Sequence, residues 1–215
     1  MNIRILILLV ISASLVFRLS AQASFRTTAG DVAPDGLYYF YAKQDTPVSV
    51  QQDLRSLPYP LQASGPLAFY TLDKGQDGKT LTNVVASVDL SSAGTLPLLM
   101  FFKGGQPPAK YRIAVMKEDT TSFPKGACRF MNQSGFPVRV LLGKESFLLA
   151  PGSVVDRPNP GQTAQLNLTA SPSGPPVNLF MQNMFFDPAK RYLFIMLPDT
   201  VSKSGVALRT LEDRL

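Results

Sequence analysis

Proline and glycine never leave this chain alone for long. Its 18 Pro and 15 Gly cut the apolar residues into short runs at 37–41, 67–72, 96–102, 111–116, 138–142, 165–169, 177–181 and 192–197. Proline removes a backbone donor and clashes inside a helix, and both residues favour turns. No run holds a 3.6-residue period with a cap at each end. "QLNLT" (165–169) instead alternates strictly, as a strand with one wet face does. "LPLLMFF" (96–102) and "LFIML" (193–197) are apolar on both faces, which predicts strands covered on both sides. The pattern predicts an all-β fold of short strands.

Two stretches look like one element written twice. "APDGLYYFYAKQDTPVSV" (33–50) matches "FPKGACRFMNQSGFPVRV" (123–140) at a constant offset, placing Pro34 on Pro124, Gly36 on Gly126 and Phe40 on Phe130. A second pair, "PAKYRIAVMKEDT" from Pro108 and "PAKRYLFIMLPDT" from Pro188, follows in the same order. Ordered agreement of two blocks points to an internal duplication. The expected organisation is two tandem small β-sandwich units of immunoglobulin-like size, residues 33–120 and 123–213. The chain turns between them near Thr120 and Phe123. Spacing of the blocks makes the first copy longer, and "LDKGQDGKT" (72–80), with its Asp-Gly turn, is the candidate for the excess. "GVALRTL" (205–211) reads as a closing strand. The alternative is a short terminal helix, from the four-residue spacing of Ala207 and Leu211.

Ahead of the first unit stands "MNIRILILLVISASLVFRLSAQASF". A basic residue, Arg4, precedes the apolar run 5–17, and "AQA" supplies small residues before Ser24. This is the layout of a secretory signal peptide, residues 1–23, with cleavage between Ala23 and Ser24. A spanning helix needs ~20 apolar residues, and the run ends at Arg18. The alternative is retention as an anchor. The expected mature chain has no membrane span and is periplasmic or extracellular. Loss of Arg4 and Arg18 lowers the formal charge from +6 to +4. The remaining basic residues are scattered singly, which suits a soluble surface rather than a nucleic-acid face. Cys128 is the one cysteine, so no intramolecular disulfide forms. Its place in "ACRFM" suits a small buried hydrophobe.

The segment "EDTTSFPKGACRFMNQSGFPVRVLLGKESFLLAPGS" (118–153) resembles a pattern of exported bacterial β-proteins of unassigned function. The resemblance implies an exported β-protein and no catalytic signature. "RFMNQSGFPVRV" is also similar to phrases of the periplasmic pilus chaperones, which are basic, exported and built of two immunoglobulin-like domains. No residue role is carried over from them.

The sequence is poor in catalytic chemistry. It has no His, which removes imidazole bases, Ser-His and Cys-His nucleophiles, and most zinc ligand sets. "GQDGKT" (75–80) has two residues between its glycines where a phosphate loop has four. "DKGQDG" (73–78) lacks the third-position ligand of a calcium loop. The carboxylate pairs Glu118-Asp119 and Glu212-Asp213 are sequence neighbours, which on a strand point apart, whereas glycosidase chemistry needs two acids facing each other. Asp119-Thr120 and Asp199-Thr200 read as turns. Asn132 and Asn167 open glycosylation sequons. No cofactor and no metal are expected.

What stands out for binding is "LYYFY". Tyr39 and Tyr41 share one face of the strand, and Tyr38 and Phe40 the other. One face packs inward. The Tyr39/Tyr41 face is the candidate contact face, for a ligand or for the other unit, and "MQNMFF" (181–186) raises the same choice. A short, Pro124-stiffened connection makes the units touch. Tyr39, Tyr41 and the run 98–102 are the candidates for that shared surface. The expected function is a non-catalytic exported binding, scaffold or assembly component, with a protein or cell-envelope polymer as partner and no nucleic acid. The alternative is a carbohydrate- or peptide-binding module on an aromatic strand face. An Asp-dependent hydrolase is a third class.

Overall fold

The computed structural model describes residues 23–62, 65–171 and 174–214. The expected signal peptide lies outside them, apart from Ala23. Among the described residues there is no helix, and sixteen strands form four four-stranded sheets.

The first unit holds β1 (Ser24–Ala29), β2 (Leu37–Tyr41), β3 (Gln44–Val48), β4 (Tyr59–Pro60), β5 (Pro66–Lys74), β6 (Thr80–Asp89), β7 (Pro97–Lys103) and β8 (Tyr111–Lys117). The second holds β9 (Cys128–Asn132), β10 (Val138–Leu142), β11 (Glu145–Leu149), β12 (Val154–Arg157), β13 (Thr163–Ala170), β14 (Val177–Phe185), β15 (Lys190–Pro198) and β16 (Val206–Arg214). In the first unit the sheets run β3-β2-β5-β6 and β4-β1-β7-β8; in the second, β11-β10-β13-β14 and β12-β9-β15-β16. Each strand thus has a counterpart eight places on. The agreement reaches fine detail. β1 pairs parallel with β7, as β9 does with β15. A bulge interrupts β5–β6 at Phe69/Tyr70 and β13–β14 at Leu168/Thr169.

The two-unit all-β architecture matches the sequence expectation, but the equivalences do not. Phe40 lies on β2 and is exposed, while Phe130 lies on β9 and is buried. The residue equivalent to Leu37 by strand order and hairpin register is Val138. The other matched block fails likewise, setting β8 against β15 instead of β16. Both matches slipped by one strand, because a Pro-Gly turn entering an apolar strand recurs at many points of a β-protein. The first unit also begins before residue 33, since β1 is an integral member of its inner sheet. Nor does the 72–80 hairpin hold the excess length. The gap between β3 and β4 runs over 49–58, whereas β11 and β12 are separated only by 150–153. The closing segment forms strand β16, not a helix.

Three apolar cores show how the sheets are layered. In the first unit Phe25, Leu37, Tyr39, Phe69, Leu99 and Phe101 fill the space between its two sheets. Cys128, Phe130, Val140, Leu166, Phe194 and Met196 do so in the second. Between the units, Leu98, Met100, Phe102 and Met116 pack with Leu193, Ile195, Leu197 and Leu211. Strand side chains alternate between faces. β7 therefore gives Leu99 and Phe101 to its own unit and Leu98, Met100 and Phe102 to the junction. β15 splits its residues the same way. This explains why both strands are apolar throughout. The order is outer sheet, inner sheet, inner sheet, outer sheet, and the junction residues are equivalent pairs: Leu98 with Leu193, Met100 with Ile195, Phe102 with Leu197, Met116 with Leu211.

Candidate functional site

Of the candidates for the shared surface, the run 98–102 is at the junction and the tyrosines are not. Tyr39 is 1% exposed inside the first unit. Its ring meets Phe25 edge-on at 5.2 Å, and its hydroxyl donates to the Pro60 carbonyl at 2.9 Å. Burial, with Tyr41 and Tyr59 nearby, pushes that hydroxyl up to about 12. Tyr41 is half-buried against the same core. The Tyr39/Tyr41 face is the inward one, so Tyr39 is not offered to a ligand. The outward face carries Phe40, 59% exposed, and Tyr38 stacked on Tyr70 at 6.4 Å. Tyr70 donates to Asp45 Oδ1 at 2.5 Å. Burial and that bond raise its hydroxyl to about 12. Strand parity alone groups Tyr38 with Phe40, but which pair faces in depends on sheet pairing that the sequence does not display.

The outer sheet of the second unit has its own exposed row. Leu148 on β11 and Met181 and Phe185 on β14 are 60%, 60% and 63% exposed. Between the two edges β13 offers Gln165, Asn167 and Thr169, with Gln165 opposite Asn183 and Asn167 opposite Met181. Thus "MQNMFF" is split: Met181 and Phe185 face out, while Met184 packs against the core and Phe186 is fully buried.

Sequence reading missed the polar half of the junction entirely. Glu118, Phe123, Arg129 and Arg191 are all nearly or fully buried where the chain crosses between units. Phe123 lies between two guanidinium groups, Arg129 at 4.3 Å and Arg191 at 5.0 Å from its ring centre. Arg191 donates to the main-chain carbonyls of Glu118 at 2.6 Å and Phe123 at 3.2 Å. Arg129 donates to the carbonyls of Lys117 and Ser122 and pairs with Asp156. Arg55 pairs with Glu118 at 2.9 Å. Asp213 takes Arg191 and, at 3.1 Å, Arg26 of the first unit. Burial pushes the Asp213 carboxyl up, but the Arg191 hydrogen bond and the charges of Arg55, Arg26 and Arg191 outweigh it and hold the group below its ordinary value. At the far end Arg209 donates to the carbonyls of Ala29 and Gly30, and Arg112 reaches Gln133. No spacing signal marks these contacts, because they join residues at separations as different as 12 positions, for Arg129 and Lys117, and 187, for Arg26 and Asp213.

The remaining candidates have structural partners. Asp119 accepts bonds from the backbone and hydroxyl of Ser122 and the backbone of Thr121, which hold its carboxyl low. Asp199 caps a turn through the Val201 N–H and is lowered for that reason. Cys128 is fully buried, and burial lifts its thiol to about 12. Asn132 is fully buried, and its amide donates to the Phe136 and Leu149 carbonyls, so that sequon is closed in the folded protein. Asn167 stands in the middle of β13. Ala23 and Ser24 are half-buried at the start of β1; the Ser24 N–H donates to Thr95 and the Ala23 carbonyl accepts from Leu61. Among the described residues no His/Cys/Asp/Glu group has metal-site geometry, and no helix is long and apolar enough to cross a membrane.

No protein-family model matches the chain, and no curated protein matches it.

Proposed function

We propose that the protein is a non-catalytic exported component of the cell envelope or extracellular space, acting as a scaffold or assembly element. The observation that supports this reading best is the way the two inner sheets are consumed by each other. Burial of Leu98, Met100, Phe102, Leu193, Ile195 and Leu197 between the units joins two small sandwiches into one body. The faces left for contact are then the two outer sheets, which carry the exposed Phe40, Leu148, Met181 and Phe185. Exposed apolar residues on sheet faces suit contact with another macromolecule better than a chemical reaction. The acids Glu118, Asp119, Asp199 and Asp213 are already engaged in ion pairs and turns.

A second reading, a carbohydrate- or peptide-binding module, draws on the outward face of β2. Phe40 is exposed there beside the half-buried Tyr38, whose ring stacks on the buried Tyr70. The test is photo-cross-linking in intact source cells from a reactive group placed at Phe40 or at Leu148. A discrete protein adduct from the envelope fraction is expected for the scaffold reading. Retention on isolated envelope polysaccharide, lost in Phe40→Ala, would favour the binding module instead. Hydrolysis of an envelope substrate that disappears on changing a single Asp would overturn both.

A further inference from the structure

We infer that β14 is a self-pairing edge, through which a second copy of this chain adds to the outer sheet of the second unit. Soluble proteins usually blunt open sheet edges with charge, proline or a covering segment. The other edges here follow that rule. β3 carries Asp45 and Pro47, β8 carries Arg112 and Lys117, β11 carries Glu145, β12 carries Asp156 and Arg157, and β16 carries Arg209, Glu212 and Asp213. The two-residue β4 ends on Pro60. β6, the counterpart of β14, ends on Asp89, and its Val85 carbonyl accepts the Lys110 N–H from the chain entering β8. In the second unit the equivalent N–H, Gly205, turns to Ser202 instead. A groove of about 500 Å³ lies between β14 and β16, floored by Leu179, Phe180, Val206 and Leu208. β14, "VNLFMQNMF", has neither a charged residue nor a proline.

The occupant follows from the order of side chains on this edge. Beyond the bulge, 180–185 is a regular ladder against β13. Its outward row is Met181, Asn183, Phe185. That row reads apolar, amide, apolar in both directions. Antiparallel pairing about a two-fold axis at Asn183 sets Met181 against Phe185 of the other copy and the two Asn183 amides against each other. Side chains directly opposite in an antiparallel pair lie on the same face, so both exposed apolar residues are covered at once, with a sulfur–aromatic contact. Such an isologous contact closes, because each chain has one β14. The opposite edge, β11, cannot extend it easily: Glu145 and its ion pair with Arg157 occupy that end.

One such ladder is smaller than the ~1,200 Å² of a stable interface, so the dimer is reversible. Sedimentation equilibrium of the purified protein over a wide concentration range should show a monomer–dimer equilibrium. Asn183→Lys puts like charges on the axis at an exposed site and should weaken it at least tenfold without lowering the thermal midpoint. Val84→Lys, on the matching edge of the first unit, should leave it unchanged. Under mild oxidation Asn183→Cys should give a disulfide-linked dimer and Met181→Cys should not, because Cys128 is buried and only residue 183 meets itself. The inference fails if the protein is monomeric throughout, if Asn183→Lys dimerises as the parent does, or if species larger than a dimer form.

Discussion

Arg191 and Asp213 are cross-strand partners on β15 and β16, and the carboxylate they share also takes Arg26 from the other unit. One acid thus holds a fully buried cation of its own unit and ties it to its neighbour. Removing one member of a buried pair leaves the other unpaired, at a cost of about 3 kcal/mol or more. Asp213→Asn should therefore lower the unfolding free energy by that amount, read as a lower urea midpoint with an unchanged slope. A loss within experimental error would show that the pair contributes nothing.

The same acid sets a pH dependence. The folded carboxyl titrates below its ordinary value of ~3.9, held there by Arg191, Arg55 and Arg26. A depressed folded value means that its stabilisation is fully present above the unfolded value and fades as pH falls through the folded one. Unfolding midpoints between pH 7 and pH 2 should fall at the acid end, and Asp213→Asn should remove part of that fall. An unchanged acid slope in the variant would assign the titration to other carboxyls.

The fold was legible where physics writes locally. Two-sided apolar strands announced β7 and β15, and Pro and Gly marked the turns. The repeat was legible as a fact but not in its register. Along β2–β3 against β10–β11 the equivalent residues share only Lys43 with Lys144, because what the units share is inward and outward alternation rather than side-chain identity. A core accepts Leu98 or Leu193, Met100 or Ile195, provided the volume and face are right. The contact face was misread for a related reason. Tyr39 and Phe40 are adjacent and similar, and only the pairing of β2 with β3 and β5 decides that Tyr39 goes in. The arginine junction left no trace, since Arg26 and Asp213 stand at opposite ends of the chain.

The β2–β3 and β10–β11 turns offer a controlled comparison. Ala42 and Lys43 both have positive φ, 50° and 68°, in a two-residue hairpin, and Gly143 takes the equivalent first position at 60°. A side chain in that region is strained, whereas Gly is not. An added Cβ at Gly143 would meet only Ala164 at 3.7 Å, an ordinary contact. Gly143→Ala should thus cost ~1–2 kcal/mol from the backbone alone, and Ala42→Gly should gain up to ~1 kcal/mol. Thermal melts of the pair should move in opposite directions; movement in the same direction would remove backbone strain as the cause.

Export carries its own check. If cleavage falls between Ala23 and Ser24, the new amine lies at the first residue of β1, whose N–H position faces the Thr95 carbonyl. Amino-terminal sequencing of the protein recovered from its native compartment should begin at Ser24 or within a few residues. A membrane-bound form that keeps Met1 would establish the segment as an anchor.

The apolar junction should make the two units unfold as one, and the chain carries a separate reporter for each. Six of its seven tyrosines, Tyr38, Tyr39, Tyr41, Tyr59, Tyr70 and Tyr111, lie in the first unit, so tyrosine fluorescence follows that unit in a protein with no Trp. The sole thiol, Cys128, is buried in the core of the second and lifted to about 12 by that burial. It should be inert to thiol reagents at neutral pH until that unit opens. In a urea series the two signals should share one midpoint, because separating the units would expose the apolar core between them and leave Arg26 without Asp213. Ile195→Ala, a truncation in the shared core, should cost about 2–5 kcal/mol and move both signals together. Gly30→Ala tests the same coupling from the other side: its Cβ would stand 2.4 Å from the Phe102 ring, and the displaced ring belongs to the junction. Different midpoints for fluorescence and thiol exposure in the parent protein would mean that each sandwich stands alone, and that the core between them contributes little to either.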